Sequence, residues 1–298
     1  MTRLRRAPAG LLAYVRPTFM LPAVGMSVYG AVLAAATTFE PTVAVLHAGT
    51  VGLALFVAHL RDGYVDGHLR EEETPRLDGP AFQLSIALGT LAVVLLSGVL
   101  AITAGAIAAL STLVLLVLAL LHAPYLDRHP VTVTVDYPVG IGTTVVGGYA
   151  AQAGGVDLEV VIVALLFSGL LSGIKIGIDR LDRDFDASIG KRTVPVVLGS
   201  RGADRVALTI FSLTSLLTIA VGVAGNWGLV AIEFPFAVLA ALAPLACLVA
   251  TRRFEDEWAV RVQMASTYVF AIGLFFAVCG NGCAGSALVD RALEAVLG

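Results

Sequence analysis

Apolar residues fall along this chain in runs of about 20, separated by short polar breaks. That is the length a helix needs to cross a bilayer core of about 30 Å. Nine such runs are predicted, near 18–37, 42–61, 81–101, 103–122, 134–153, 158–178, 204–224, 228–250 and 264–285. The third and fourth are separated by little more than Thr103 and Gly105. The expectation is an all-α integral membrane protein of nine transmembrane helices, with a central cavity opening towards cytoplasmic loop helices.

The breaks alternate in character. The N-terminus and the connections after spans two, four, six and eight hold nearly every basic residue: Arg3, Arg5, Arg6, Arg61, Arg70, Arg76, Arg128, Arg192, Arg252 and Arg253 are examples. The connections after spans one, three, five and seven hold none and read Thr-Phe-Glu-Pro, Ala-Gly-Gly-Val-Asp-Leu-Glu and Gly-Asn-Trp among others. Arg291 in the C-terminal tail is the clear exception. By the positive-inside rule the N-terminus and the even loops are cytoplasmic, and the protein is a multi-pass component of the cell membrane. Nine spans satisfy this bias, whereas eight or ten would scramble it.

Composition agrees. Of 298 residues, 58% are hydrophobic and only 14% charged, and the mean hydropathy is +0.89. Such a chain belongs in lipid and reads as one membrane domain over 1–298 rather than two soluble ones. The basic start shows no clear cleavage pattern and is not read as a removed signal. A net charge of -3 points to no partner class, and no nucleic-acid partner is expected. Cys247, Cys279 and Cys283 lie in or beside apolar segments and read as small buried residues. Cys279 and Cys283 share a helix face but have no His or Asp companion for a metal. Glycines inside the spans, such as Gly140, Gly142, Gly147 and Gly148, let helices approach closely in lipid.

The chemistry sits at the ends of two even spans. Span six runs into Asp179-Arg-Leu-Asp182-Arg-Asp-Phe-Asp186, then Gly190-Lys191-Arg192-Thr193. Acids spaced 0, 3 and 7 project from one side of a helix, and such a row is costly without a cation between its members. Magnesium bridging to a phosphate suits it, because that ion takes a few carboxylates and fills its shell with water and substrate oxygens. Asp184 points off this face. Lys175, one turn earlier, either holds a diphosphate oxygen or pairs with Asp179; a charge there faces a bundle interior. Span two ends in His59-Leu-Arg-Asp62-Gly-Tyr-Val-Asp66-Gly-His-Leu-Arg70, where Asp62 and Asp66 again share a face. Glu71, Glu72 and Glu73 read as a solvated run. Two acidic rows four helices apart suggest a parallel internal repeat, roughly helices one to four and five to eight; a transporter's inverted repeat needs an odd offset.

The stretch Asp179-x-x-Asp182-x-x-x-Asp186-x-x-x-Gly190-Lys191-Arg192-Thr193-x-Pro195-x-x-Leu198-Gly199 closely resembles the second aspartate motif of the UbiA superfamily of intramembrane prenyltransferases. Nine helices with aspartate-rich loops after helices two and six are similar to that family too, as is Arg16-Pro17 leading into the first span. The family's first motif, Asn-x-x-x-Asp-x-x-x-Asp, falls on Asp62, Asp66 and Arg70, so an acid replaces the asparagine and a base replaces the last acid. Where many members carry a lysine after helix four, this chain reads Pro124-Tyr125-Leu-Asp127-Arg128-His129.

The resemblance implies a Mg2+-dependent prenyltransferase, with Asp62, Asp66, Asp179, Asp182 and Asp186 as metal ligands and catalytic residues. Lys175, Arg70, Lys191, Arg192 and Arg128 are implied to bind the donor diphosphate. The implied partners are a prenyl diphosphate and a lipophilic acceptor (quinone precursor, isoprenoid lipid or carotenoid), and the loop after helix four leans towards the last two. Two other readings stand beside it. A UbiA-type terpene cyclase keeps the diphosphate site and drops the acceptor. A transporter would use the acids as an ion path, but here they cluster at one membrane surface.

Overall fold

The computed structural model describes residues 7–34, 39–280 and 282–283. Arg3, Arg5, Arg6 and Arg291, and positions 35–37, 281 and 284–285 of the first and last predicted spans, lie outside the described residues. Among those described there are helices and no strands. In order they are α1 (Ala7–Leu12), α2 (Pro17–Leu33), α3 (Pro41–Tyr64), α4 (Gly79–Thr103), α5 (Ala106–Tyr125), α6 (Pro130–Ala153), α7 (Leu158–Leu181), α8 (Arg183–Ser188), α9 (Val194–Asn226), α10 (Phe234–Arg253) and α11 (Asp256–Cys279).

Each of the nine predicted segments falls on a helix, but only seven helices among the described residues are long and apolar enough to cross a membrane. They are α3 with the turn after it, α4, α5, α7, α9, α10 and α11. Helix α2 has 17 residues, and α6 is diluted by threonines, glycines and Asp136. The predicted ends also move. Helix α11 begins at Asp256 rather than 264, because its first two turns are a charged amphipathic stretch that hydropathy alone misses. Helix α9 begins ten residues before the predicted 204. Proline, with its fixed φ, sits at the first turn of α3, α4, α9 and α10, where the missing N–H costs nothing.

The helices form two compact units, with α6 contributing to both. The first unit holds α1, most of α2, α3, α4, α5 and the Thr143–Gly155 part of α6. Its α3, α4 and α5 pack against one another, over a cluster of Tyr14, Leu60, Leu77 and Phe82. Small residues set the closest approaches. A Cβ on Gly148 would stand 1.9 Å from the Ser27 carbonyl oxygen, and one on Gly30 would stand 2.0 Å from that of Val145. A buried polar group is satisfied here too: His47 Nδ1 meets Ser27 Oγ at 2.7 Å and its Nε2 meets Ser111 Oγ at 3.0 Å.

The second unit holds Arg128–Gly142, which includes the start of α6, and the described residues from Val156 onward. Here α7 packs on α9 and α11, and α10 packs between α9 and α11. Phe167 and Phe270 meet edge-to-face at 5.1 Å. At one end Arg180 of α7 donates to Asp204 of α9 and, at 2.6 Å, to Asp256 of α11. At the other end of α11, Cys279 and Cys283 form a disulfide. Both are buried, as expected, and they are bonded as well: helix α11 ends at Cys279, and the Gly282 N–H donates back to the Cys279 carbonyl at 2.9 Å, which keeps the second sulfur within bonding distance. Cys247 is free and buried.

Candidate active site

The second acidic row is built on a helix that breaks. Helix α7 ends at Leu181, Asp182 leaves helical geometry with φ -99 and ψ 7, and α8 resumes at Arg183. The Asp186 N–H still reaches the Asp182 carbonyl at 2.8 Å, so the register survives the kink. Asp179 and Asp186, seven residues apart, are both buried, at 4% and 6% exposure. Asp182 and Asp184 between them are exposed. The row is therefore two inward carboxylates with a third at the rim.

Gly190, at φ 76, ends this segment in a left-handed conformation that few other residues adopt. The Lys191 N–H donates to the Asp186 carbonyl at 2.9 Å. Thr193 then precedes α9, with Pro195 in its first turn. The Gly-Lys-Arg-Thr sequence is thus a turn that returns Lys191 to the acids, while Arg192 is exposed.

Of the two roles open to Lys175, the structure contains the ion pair: its Nζ donates to Asp179 Oδ1. Asp179 Oδ2 is buried with no hydrogen-bond partner. Burial lifts the Asp186 carboxyl above its ordinary value; Lys191 and Lys175 oppose the rise, and the charges of Asp179 and Asp182 add to it. Asp136 of α6 is close enough for its carboxylate to repel that of Asp179. The sequence reading passed over Asp136, although a lone acid inside an apolar span was a usable signal.

This row fits a hard divalent cation. Its donors are all carboxylate oxygens, one is buried and orphaned, and negative charge is in excess. Among the described residues, no three acidic, histidine or cysteine side chains converge into a ready-made metal cage.

The first row is assembled differently. Asp62 lies in the last turn of α3, and the chain then widens into a π-helical turn, Val65–Leu69, that carries Asp66. The Arg70 N–H closes it on the Val65 carbonyl at 2.9 Å. Such a turn is a common device at functional sites because it re-aims side chains within a helix. His68 Nε2 donates to the Leu77 carbonyl at 3.0 Å, tying the turn to the following loop.

Arg70 is surrounded by acids. Its Nη2 bonds Asp127 Oδ2 at 2.5 Å, Nη1 approaches Asp66 Oδ1 at 3.5 Å, and Nε lies 3.8 Å from Glu72 Oε1. Glu72 therefore departs from the solvated run expected at 71–73, while Glu71 and Glu73 are exposed. Asp127, 2% exposed on the turn Leu126–Arg128, is a residue the sequence reading quoted without a role. Arg128 beside it is exposed.

The UbiA prenyltransferase family model matches residues 23–274. No curated protein sequence matches the chain. Several solved structures share the fold. One concerns digeranylgeranylglyceryl phosphate synthase: TM-score 0.69, 15% identity, covering 93% of this chain and 99% of that one. A UbiA homologue from Aeropyrum pernix K1 gives TM-score 0.64 at 19% identity, over 87% and 98% of the two chains. A UbiA homologue from Archaeoglobus fulgidus, bound to GPP and Mg2+, gives 0.66 at 14% identity, over 92% and 99%. The chain belongs to the UbiA prenyltransferase family and is a multi-pass membrane prenyltransferase.

Proposed function

We propose that this enzyme transfers a polyprenyl group from a prenyl diphosphate to a lipophilic acceptor, with Asp179, Asp182 and Asp186 as one magnesium site and Asp62 and Asp66 as another. The observation that carries the proposal is the buried, under-compensated charge of Asp179 and Asp186 beside Lys175 and Lys191. The Archaeoglobus fulgidus homologues bound to GPP and Mg2+ and to DMAPP and Mg2+ support this donor class and this ion. When bound, magnesium supplies positive charge to the leaving diphosphate and eases cleavage of the allylic C–O bond. Asp179 and Asp186 offer it fixed oxygens, and Asp182 at the rim offers one that can follow the substrate. Lys191, Arg192 and Arg128 add charge for the diphosphate, and Lys175 does so by sharing itself between Asp179 and a phosphate oxygen. The apolar helices keep water from the cation until the acceptor attacks.

The acceptor is a quinone precursor, an isoprenoid lipid or a carotenoid, and it reaches the site from the bilayer. All nine helical segments, α2 and α6 included, cross the membrane in this reading, and the two acidic rows mark a parallel repeat within one domain. The test offers purified protein a series of prenyl diphosphates with a membrane lipid extract and identifies products by mass. A prenylated lipid formed only with Mg2+ is expected. A cyclic hydrocarbon formed without acceptor would identify a cyclase instead, and solute flux indifferent to prenyl diphosphate would identify a transporter. In the same assay Asp182→Asn lowers diphosphate release by about a hundredfold or more while the protein stays folded; normal turnover in that variant sinks the site assignment.

A further inference from the structure

Arg70 occupies a position where a cation is out of place if its task were to hold a metal, and the geometry gives it another task. Its shortest contact is not to the acidic row but to Asp127, from a turn 57 residues away. A carboxylate that is 2% exposed is costly unless it is paired and hydrogen-bonded. Asp127 Oδ2 is held by Arg70, and its Oδ1 is buried with no hydrogen bond. A guanidinium presents a rigid planar fork, so fixing one arm on Asp127 also fixes the direction of the others. One of them faces Asp66 Oδ1, and Nε faces Glu72. The backbone of Arg70 is fixed as well, by its hydrogen bond across the π-turn.

We propose that Arg70 and Asp127 are a positioning pair: Asp127 anchors the guanidinium, and the guanidinium sets the orientation of Asp66 towards its metal. This rests on the proposed role of Asp66 as a metal ligand. It assigns Arg70 to the protein rather than to the diphosphate, and it gives Asp127 a role in the reaction although it touches neither metal nor substrate. A diphosphate seeking Arg70 would have to displace a buried carboxylate, which is the more costly arrangement. Partners that orient a metal ligand in this way set affinity by about ten- to a hundredfold.

The experiment compares wild type with Asp127→Asn, Asp127→Glu, Arg70→Lys, Arg70→Met and the double variant Arg70→Met/Asp127→Asn, each checked for folding by thermal unfolding in detergent. Mn2+ binding without substrate is read by electron paramagnetic resonance, and Mg2+ half-saturation and donor KM are read in the turnover assay. For Asp127→Asn, Mn2+ affinity at one site falls about tenfold or more and Mg2+ half-saturation rises to match. Donor KM at saturating Mg2+ stays within about twofold, because a positioning residue does not bind the diphosphate. Asp127→Glu recovers most of the Mn2+ affinity. The double variant is no weaker than its more damaged parent, since the two residues act as one unit. The proposal is overturned if Asp127→Asn leaves Mn2+ binding unchanged. It is overturned equally if Arg70→Lys raises donor KM at saturating Mg2+ with Mn2+ binding intact. Wild type that binds Mn2+ and turns over no prenyl diphosphate defeats the proposed function, and the Mn2+ titrations then still decide the pair.

Discussion

Single carboxylates carry the proposed chemistry, and Asp186 shows how burial tunes one. Its pKa is raised above the ordinary 3.8, first by burial and then by Asp179 and Asp182, against Lys191 and Lys175. In the pH window just above 3.8 the native state therefore holds a proton that the unfolded state has released. Stability of the metal-free protein falls as pH rises through that window. Thermal unfolding in detergent with a chelator should show this slope, and Asp186→Asn should flatten it. Metal binding has the opposite sign, because a proton must leave first: Mn2+ affinity should weaken as pH falls through the same window. A metal-free melting temperature that climbs steadily from pH 4 to 7 would contradict this account. The acids were visible in the sequence because their spacing is local. Whether each was buried was not, since Asp182 and Asp186 look alike in one dimension and differ fully in exposure.

Helices bring these residues to their places through breaks and close approaches. The sequence spacing predicts two continuous acidic helix faces. The structure has a kink at Asp182 in one and a π-turn at Val65–Leu69 in the other, because a hydrophobic pattern reports which face is buried but not where the backbone departs from 3.6 residues per turn. Gly199, at φ 68, likewise breaks α9 just after its first turns, in what hydropathy treats as lead-in to a span. Glycine packing was legible as a tendency and needed the fold to become specific. Gly147 is the sharpest case: an added Cβ would stand 1.9 Å from Ser111 Oγ and 2.4 Å from His47 Nε2. Gly147→Ala should therefore cost about 1–3 kcal/mol from overpacking, with loss of the His47 hydrogen bonds added to it. Chemical or thermal unfolding of the variant measures this, and a wild-type stability would mean that the helices part without penalty.

At the scale of the whole molecule, orientation joins the two kinds of information. The charge bias of the loops predicts that the acidic ends face the cytoplasm. The disulfide gives an independent argument from the other end. In the second unit, Arg180 ties the acidic end of α7 to the start of α11 at Asp256, and Cys279–Cys283 closes α11 at its far end, about 36 Å away for 24 residues. Disulfides persist where the surroundings oxidise them, so this bond predicts an outward end for Cys279–Cys283 and a reducing side for the Asp179–Asp186 end. In right-side-out vesicles, an impermeant maleimide should label Cys283 only after reduction from outside. Labelling without reductant, or from the inside only, would reverse the orientation. The sequence by itself determined the membrane class, the helical segments, the acidic rows and the family, because all of these depend on residues near one another along the chain or on their average hydropathy. Only the tertiary structure decided that Arg70 answers to Asp127, that Lys175 pairs with Asp179, that Asp136 lies within electrostatic reach of Asp179 and that two cysteines are bonded. Each of these is fixed by distances across the fold, and a one-dimensional pattern holds no such distances.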